Sequence, residues 1–379
     1  MKSPCINMKI AIEAQRIFRT NKHGMDYVIL EILRILQRID TENEYWVFVA
    51  PGDDVCLQNT PNFHIEVLNS GFYPYWEQVL LPRAVRRLRP DVLHCTSNTA
   101  PVFPGAPLLL TLHDIIFLER KTGSNTSRYQ NMGWKYRRMV VPRILKKCAK
   151  VITVSEYEKK QIVAAGLLPE DGIEVIYNGF GTEFNAGAAK QDRDYILFLG
   201  STDPKKNTSR TLAGYASYLR RSKVKRPLKI ADLSREDLEK YLQENGCIDV
   251  ADSVECVGYV PHSELPATYG GAAAFLSTSV RESFGIPQLE AMACGAPVVV
   301  ADASALPEIA GEGALLVDPY NPEKIGDALL RLEEDQEFRD KVVEYGYERV
   351  KLFSWDSSAR RTLDLYARFD RSQAALPSK

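Results

Sequence analysis

The chain has 379 residues, 45% of them hydrophobic and 26% charged, with a formal net charge of −1. That length suits two ordinary domains, and the near-neutral charge excludes whole-chain attraction to nucleic acid. Seven cysteines, an odd number without a C-x-x-C pair, argue against a disulfide framework and for reduced thiols in a cytoplasmic protein; no apolar run could span a bilayer and no signal peptide opens the chain.

In the first half, apolar and β-branched runs predict strands at Lys9–Glu13, Tyr45–Val49, Ile65–Leu68, Asp91–Cys95, Leu108–Leu112, Val151–Val154 and Ile173–Ile176. Between them, Val28, Leu30, Ile32, Leu33, Ile35 and Leu36 recur at helical spacing and predict a helix over Met25–Ile39. Tyr75–Arg89 reads as a basic helix. Arg128–Cys148 reads as a long one, kinked or divided near Pro142, and a further helix starts at Glu156. Alternation of this kind indicates an α/β domain whose parallel sheet is covered on both faces. Ligands of such sheets bind beyond the carboxyl ends of the strands, which puts Gly24, His113 and Ser155 near one rim.

Tyr177-Asn178-Gly179 is a turn signal, and the polar stretch Gly181–Asp194 reads as a linker. The pattern then restarts, with strands at Tyr195–Leu199, Leu228–Ala231, Val254–Val257, Ala273–Leu276, Pro297–Val300 and Leu315–Val317 and a helix over Asn207–Tyr218. Helices at 322–333, 336–352 and 355–369 close the chain. The domains expected are thus 1–180 and 181–354. The first half carries 23 Lys+Arg against 18 Asp+Glu, the remainder 25 against 31.

The most informative stretch is Ser277–Pro319. A strand leads through Ser283-Phe284-Gly285 into a short helix begun by Pro287 and stopped by Gly295 and Pro297. Such a loop aims backbone N–H groups and a helix N-terminus at one point, which favours an anion, and its glycine lets a phosphate approach. Glu282 and Glu290 flank it, and a carboxylate accepts hydrogen bonds from paired hydroxyls. Anion and polyol side by side suggest a sugar nucleotide. The plainer alternative makes Glu290 a complement to the helix dipole and Glu282 a solvated charge.

The two glutamates stand in E-S-F-G-I-P-Q-L-E, followed by E-A-M-A-C-G-A-P-V-V and later L-P-E-I-A-G. This string resembles the E-x7-E signature of the retaining glycosyltransferases of family 4, also called group 1. The resemblance implies the GT-B fold, two Rossmann-like doubly wound parallel-sheet domains facing a cleft. It makes the first domain the acceptor side, joined by a crossing helix at 355–372, and the second the nucleotide-sugar side. It further implies that Glu290 binds the ribose hydroxyls and that Glu282 faces the transferred sugar. Ser283, Phe284, Gly285 and Ile286 would contact sugar or phosphate through the backbone. Val257–Pro261, with Val260 inside it, would line the base, and Ala303–Glu308 would help enclose the donor.

Gly200–Asn207 resembles the family's phosphate loop, with Lys206 as the lysine that neutralises the diphosphate. The family's arginine after the glycine is absent: Ser201 stands there, and Lys205, Arg210 or Arg281 would have to substitute. Ser283 likewise replaces a usual glycine. In the first domain, H-G-M-D-Y keeps one of two usual glycines, Gly24, and His113 in T-L-H-D resembles the histidine that hydrogen-bonds the donor sugar. The implied catalytic set is His113, Glu282 and Lys206.

By this resemblance the chain transfers a sugar, with retention, from a nucleotide-diphosphate sugar to a glycan or lipid-linked acceptor in cytoplasmic polysaccharide biosynthesis. No metal or other cofactor is expected. Asp192-Arg193-Asp194 spells D-x-D but precedes a strand and reads as a solvated cluster. Arg83, Arg86, Arg87 and Arg89, with Lys135, Arg137, Arg138, Arg143, Lys146 and Lys147, interleave with apolar residues. That face suits peripheral contact with an anionic membrane, or is simply a solvated helix face. Two other readings stay open: a sugar-nucleotide-binding protein without transferase activity, and another GT-B reaction such as epimerisation or phosphorolysis.

Overall fold

The computed structural model describes residues 8–119, 128–190 and 192–369. The chain divides into two compact units. Unit 1 takes the residues up to Gly179 together with those from Trp355 on, and unit 2 is Phe180–Ser354.

Unit 1 contains β1 (Lys9–Glu13), α1 (Gly24–Ile39), β2 (Glu44–Val49), β3 (Phe63–Val67), α2 (Tyr73–Tyr75), α3 (Leu81–Leu88), β4 (Val92–Cys95), β5 (Leu108–Thr111), α4 (Arg128–Leu145), β6 (Cys148–Thr153), α5 (Glu156–Ala164) and β7 (Ile173–Val175). The strands form one parallel sheet in the order β3-β2-β1-β4-β5-β6-β7. Every residue of β4 and β5 is buried, so these strands read as unbroken apolar runs rather than alternating ones.

Two helices differ from expectation. The basic helix begins earlier, with a turn at α2 and a π-helical turn over Trp76–Leu80 before α3. Pro82 lacks an N–H and its ring crowds the carbonyl four residues back; just before it, the Leu81 N–H bonds the Trp76 carbonyl five back. Arg89, at φ +54°, ends the helix ahead of Pro90. In contrast, α4 runs undivided through Pro142 and stops at Leu145.

Unit 2 contains β8 (Tyr195–Leu199), α6 (Thr208–Arg221), β9 (Leu228–Ala231), α7 (Arg235–Glu244), β10 (Val254–Gly258), α8 (Leu265–Gly270), β11 (Ala272–Ser277), α9 (Ile286–Ala293), β12 (Val298–Ala301), α10 (Leu306–Ala310), β13 (Leu315–Val317), α11 (Pro322–Glu334) and α12 (Gln336–Val350). Its sheet is also parallel, in the order β10-β9-β8-β11-β12-β13. Helices α6 and α11 meet closely at Gly214, where a Cβ would lie 2.7 Å from the Cβ of Ile325. The last helix, α13 (Trp355–Ala367), packs on α1 of unit 1. Its Tyr366 hydroxyl meets His94 Nδ1 at 2.7 Å, and Ser358 donates to the Tyr177 carbonyl at 2.5 Å. Residues 370–372 of the expected crossing helix lie outside the described residues.

Both sheets reverse their strand order once, between β1 and β4 in unit 1 and between β8 and β11 in unit 2. Beyond the carboxyl ends at such a reversal the flanking loops splay apart and leave a crevice for a ligand. In unit 2 this is where Gly200 and Thr278 leave the sheet.

Candidate functional site

In unit 2 the loop after β8 is drawn tightly to its neighbours. Gly200 donates to the Ala231 carbonyl at 3.0 Å, and a Cβ there would stand 2.7 Å from Ile230 Cδ1. Thr208 at the head of α6 donates its hydroxyl to the Ser201 carbonyl at 2.6 Å, and the Ser201 N–H returns to it at 3.2 Å. Asp203 caps the short turn Pro204–Lys206 by accepting from the Lys205 N–H at 3.0 Å. Asn207 is not the first helical residue, as the pattern suggested, but the left-handed cap before it, at φ +59°. Its buried amide donates to the carbonyls of Thr278, at 3.2 Å, and Pro319, at 2.8 Å. One side chain thus ties the loop after β8 to the ends of β11 and β13. The Val280 N–H adds a further tie, to the Lys205 carbonyl at 2.8 Å.

These ties bring Lys206 to Glu282, Nζ to Oε1, at 2.7 Å. Glu282 is itself fixed by its backbone: its N–H donates to Ser304 Oγ at 2.9 Å and its carbonyl accepts from the Ala305 N–H at 3.3 Å. Asp232, in the loop after β9, feels the same lysine; burial raises its pKa and the Lys206 charge lowers it.

The next residues build the start of α9. Phe284 is buried edge-to-face on Phe353, with ring centroids 5.8 Å apart. Gly285 caps the helix at φ +95°, and a Cβ there would lie 2.6 Å from Leu306 Cδ2. Ile286 and Pro287 open the helix, and Pro287 removes an N–H that would have no helical partner. Glu290 follows one turn later, buried, and accepts from the Tyr269 hydroxyl at 3.2 Å. Burial pushes its pKa up to about 7; the Tyr269 bond opposes the shift and the Glu183 charge adds to it.

The three cations considered as substitutes for an arginine at position 201 are each committed elsewhere or buried. Lys205 pairs with Asp203 at 3.3 Å. Arg210 donates to Asn207 Oδ1 at 3.1 Å and stands 5.2 Å from the Tyr320 ring centroid. Arg281 is buried. Val260 is partly buried in the loop after β10, following Gly258 at φ +67° and Tyr259, which is 77% exposed.

In unit 1, His113 follows β5 and is buried. Its backbone N–H donates to Asn98 Oδ1 at 2.6 Å and its Nε2 faces the Thr96 carbonyl at 2.9 Å. A carbonyl only accepts, so Nε2 carries the proton and Nδ1 is left as an acceptor in the neutral ring. Burial lowers the pKa of His113, which favours that neutral form. Gly24 is the first residue of α1, and a Cβ there would meet no atom within 4 Å. Nothing packed around it requires a glycine. Part of the basic helix faces is engaged: Arg138 donates to the carbonyls of Phe117 and Leu118 and stacks on Trp134, Lys147 donates to the Val102 carbonyl, and Arg87 pairs with Glu66.

Among the described residues no group of three or more His, Cys, Asp or Glu is placed to hold a metal ion. Among them, too, no helix is long and apolar enough to cross a membrane. Sequence reading missed Asn207 as a tie, Ser304 as the support of Glu282, and Tyr269 as the partner of Glu290. No periodicity marks these three, because each acts across elements distant in the chain.

Comparison with known proteins agrees with this architecture. Residues 23–184 match the family model described as Glycosyltransferase Family 4, and residues 180–349 match the one described as Glycosyl transferases group 1. Over 229 residues, 57% of its length, the chain is 27% identical to the O-antigen chain mannosyltransferase B of Escherichia coli and spans 60% of that relative. Among solved structures it resembles sucrose-phosphate synthase from Thermosynechococcus elongatus, with a TM-score of 0.74 at 20% identity, over 96% of this chain and 99% of that one. It also resembles Anabaena HepE, solved in complex with UDP and glucose, with a TM-score of 0.69 at 17% identity, over 95% of this chain and all of that one. The fold is therefore GT-B, with two Rossmann-like parallel-sheet domains.

Proposed function

The chain belongs to the group 1 glycosyltransferases, and we propose that it transfers a hexosyl group, with retention, from a nucleoside-diphosphate sugar to a glycan or lipid-linked acceptor. The observation that carries this reading is the loop system of unit 2. A lysine, a carboxylate and a helix start with a left-handed glycine converge beyond the carboxyl ends of β8 and β11. A second carboxylate, Glu290, sits one turn into that helix.

The chemistry asks for little more. The bond from the anomeric carbon to the diphosphate breaks as the acceptor oxygen approaches the same face, and the acceptor proton passes to the departing diphosphate oxygen. Negative charge grows on that diphosphate, and a fixed cation and aligned amides stabilise it as it grows. Lys206 and the N–H groups at the start of α9 are the groups we assign to this. Glu290 takes the ribose hydroxyls, Glu282 the transferred sugar and Val260 the edge of the base. From unit 1 we assign His113 a hydrogen bond to the sugar and Gly24 a close backbone approach to phosphate, for which its open surroundings leave room. We assign no metal a part in the transfer. The relative named above makes mannose the first sugar to try. We place the activity in the cytoplasm, at an anionic membrane face where the acceptor is a lipid.

The test is a thermal-shift screen against UDP, GDP, ADP, TDP and CMP, with and without magnesium. The matching sugar nucleotides are then assayed for transfer with retained anomeric configuration. A magnesium-independent shift with one diphosphate and retained product supports the reading. Binding without turnover supports the non-catalytic alternative, and a requirement for free phosphate supports phosphorolysis.

A further inference from the structure

Unit 1 holds a cavity of about 360 Å³ that meets the reading above only at His23 and Met25, on either side of Gly24. Its wall is built by the loop after β1 (Arg16, Arg19), the N-cap of α1 (His23), Tyr73, and one face of α4 (Tyr136, Arg137). The Nε atoms of Arg16 and Arg137 are both buried and have no hydrogen-bond partner. Among the described residues Arg16, Arg19 and Arg137 form no ion pair, and no aspartate or glutamate lines the cavity. Two acids stand behind the wall, and both are occupied: Tyr73, Thr99, Gln78 and Tyr136 donate to Glu77, and the Gln15 and Thr96 N–H groups donate to Glu13, whose pKa burial raises and the Arg16 charge lowers. The tyrosine hydroxyls on this wall are thus spent, and the guanidinium groups are the unspent donors.

A buried donor without a partner is rare because it forfeits its hydration. The two Nε atoms are closed to solvent, so a partner supplied from outside the chain meets the remaining guanidinium nitrogens of the two arginines that line the cavity. The planar fork of arginine matches an oxyanion with two parallel bonds. Three positive charges without a lining counter-charge suit a phosphate, which carries close to two negative charges near neutral pH, better than a singly charged carboxylate. The cavity falls at the lower end of the size range of small-molecule sites, enough for a head group. Phe72 and Met132, 56% and 48% exposed, supply an apolar margin.

We propose that this cavity binds a phosphate or diphosphate group borne by the acceptor, gripped by Arg16 and Arg137 with Arg19 adding charge. The acceptor role rests on the transferase reading; the phosphate binding does not. The same chemistry is offered by a prenyl-chain lipid diphosphate and by a water-soluble sugar phosphate, and the apolar margin is available to a lipid chain.

The experiment titrates pyrophosphate, glucose 1-phosphate, farnesyl diphosphate and acetate into Lys206→Ala protein, whose donor loop is disarmed. Each titration is repeated with Arg16→Gln or Arg137→Gln added. Saturable phosphate binding that weakens tenfold or more with either change is expected, with the unfolding midpoint held within a few degrees. Arg137→Lys, which keeps the charge but loses the fork, should fall between. Tighter binding of farnesyl diphosphate than of pyrophosphate assigns a lipid, and tighter binding of glucose 1-phosphate assigns a soluble acceptor. Binding indifferent to both arginines, absence of binding, or equal binding of acetate would overturn the proposal. Arginine-dependent binding in a protein that transfers no sugar from any donor would leave the site standing and remove the transferase reading alone.

Discussion

Lys206 and Glu282, from the loops after β8 and β11, meet as an ion pair 2.7 Å apart. The lysine side chain is 40% exposed and the glutamate 26%, so the pair itself adds little stability, on the order of 0–1 kcal/mol. Its consequence lies in binding. A carboxylate that neutralises the lysine competes with a diphosphate for the same cation. We therefore expect Lys206→Ala to lose a charge-assisted bond of about 1.5–3 kcal/mol, roughly 10- to 150-fold in nucleoside-diphosphate affinity. Glu282→Gln should hold or improve affinity for the bare diphosphate while slowing transfer. Calorimetric titration with the nucleotide and initial rates with the sugar nucleotide separate the two effects. Wild-type nucleotide affinity in Lys206→Ala would remove the diphosphate role.

Glu290 gives a pH signature. An unfolded glutamate releases its proton near 4.5, whereas burial makes the folded one hold it to about 7. The folded state binds more protons between those values, so the contribution of this group to stability falls as pH rises through the window. The ionised form is the one that accepts from ribose hydroxyls, so donor binding should gain as the same group loses its proton. Wild-type protein should lose unfolding free energy between pH 4.5 and 7 relative to Glu290→Gln, and should gain nucleotide affinity from pH 5.5 to 8 beyond any gain in the variant. Denaturant melts and titrations at those pH values check both. Parallel pH profiles for the two proteins would defeat the assignment.

The strands of both sheets were legible in the sequence because buried parallel strands are short apolar runs punctuated by turn residues. The loop leading into α9 was legible for a different reason: Glu282, Gly285, Pro287 and Glu290 stand close together in one continuous string. What stayed hidden joins residues far apart in the chain. Asn207 reaches Thr278 and Pro319, Tyr269 reaches Glu290, and Arg16 shares a cavity with Arg137. Arg137 read as one charge on a basic helix face, since only folding shows that its Nε is buried beside a cavity. The π-helical turn before Pro82 was likewise invisible to a search for a 3.6-residue period.

Gly285 is where backbone geometry and packing both exclude a side chain. Its φ of +95° is unfavourable for alanine, and the new Cβ would press on Leu306 Cδ2 at 2.6 Å and Gln288 Nε2 at 3.0 Å. Gln288 is buried and donates to the Leu306 carbonyl, so α9 and α10 would be pushed apart at the loop itself. Gly285→Ala should cost roughly tenfold or more in nucleotide affinity, about 1.4 kcal/mol, through displaced loop amides. Its far-ultraviolet circular dichroism should stay native. Unchanged affinity would show that the start of α9 does not touch the nucleotide.

Asn207 tests whether the loop system is held together from within. Its amide satisfies two carbonyls at the ends of β11 and β13, and its left-handed backbone is one that asparagine tolerates better than alanine. Asn207→Ala leaves the buried carbonyls of Thr278 and Pro319 without that donor and adds backbone strain. The combined cost is about 2–5 kcal/mol, from roughly 1–3 for unpaired buried groups and about 1–2 for the strain. Asn207→Asp keeps the size and the left-handed tolerance but offers the same carbonyls no donor, so it should destabilise as well. Asn207→Gly relieves the strain and should recover part of the alanine loss. Urea unfolding of the three variants ranks them, with glycine above alanine. If alanine matches wild type, the two hydrogen bonds do not hold the loops, and the positioning of Lys206 must come from the Val280 backbone bond and the Thr208 hydroxyl instead.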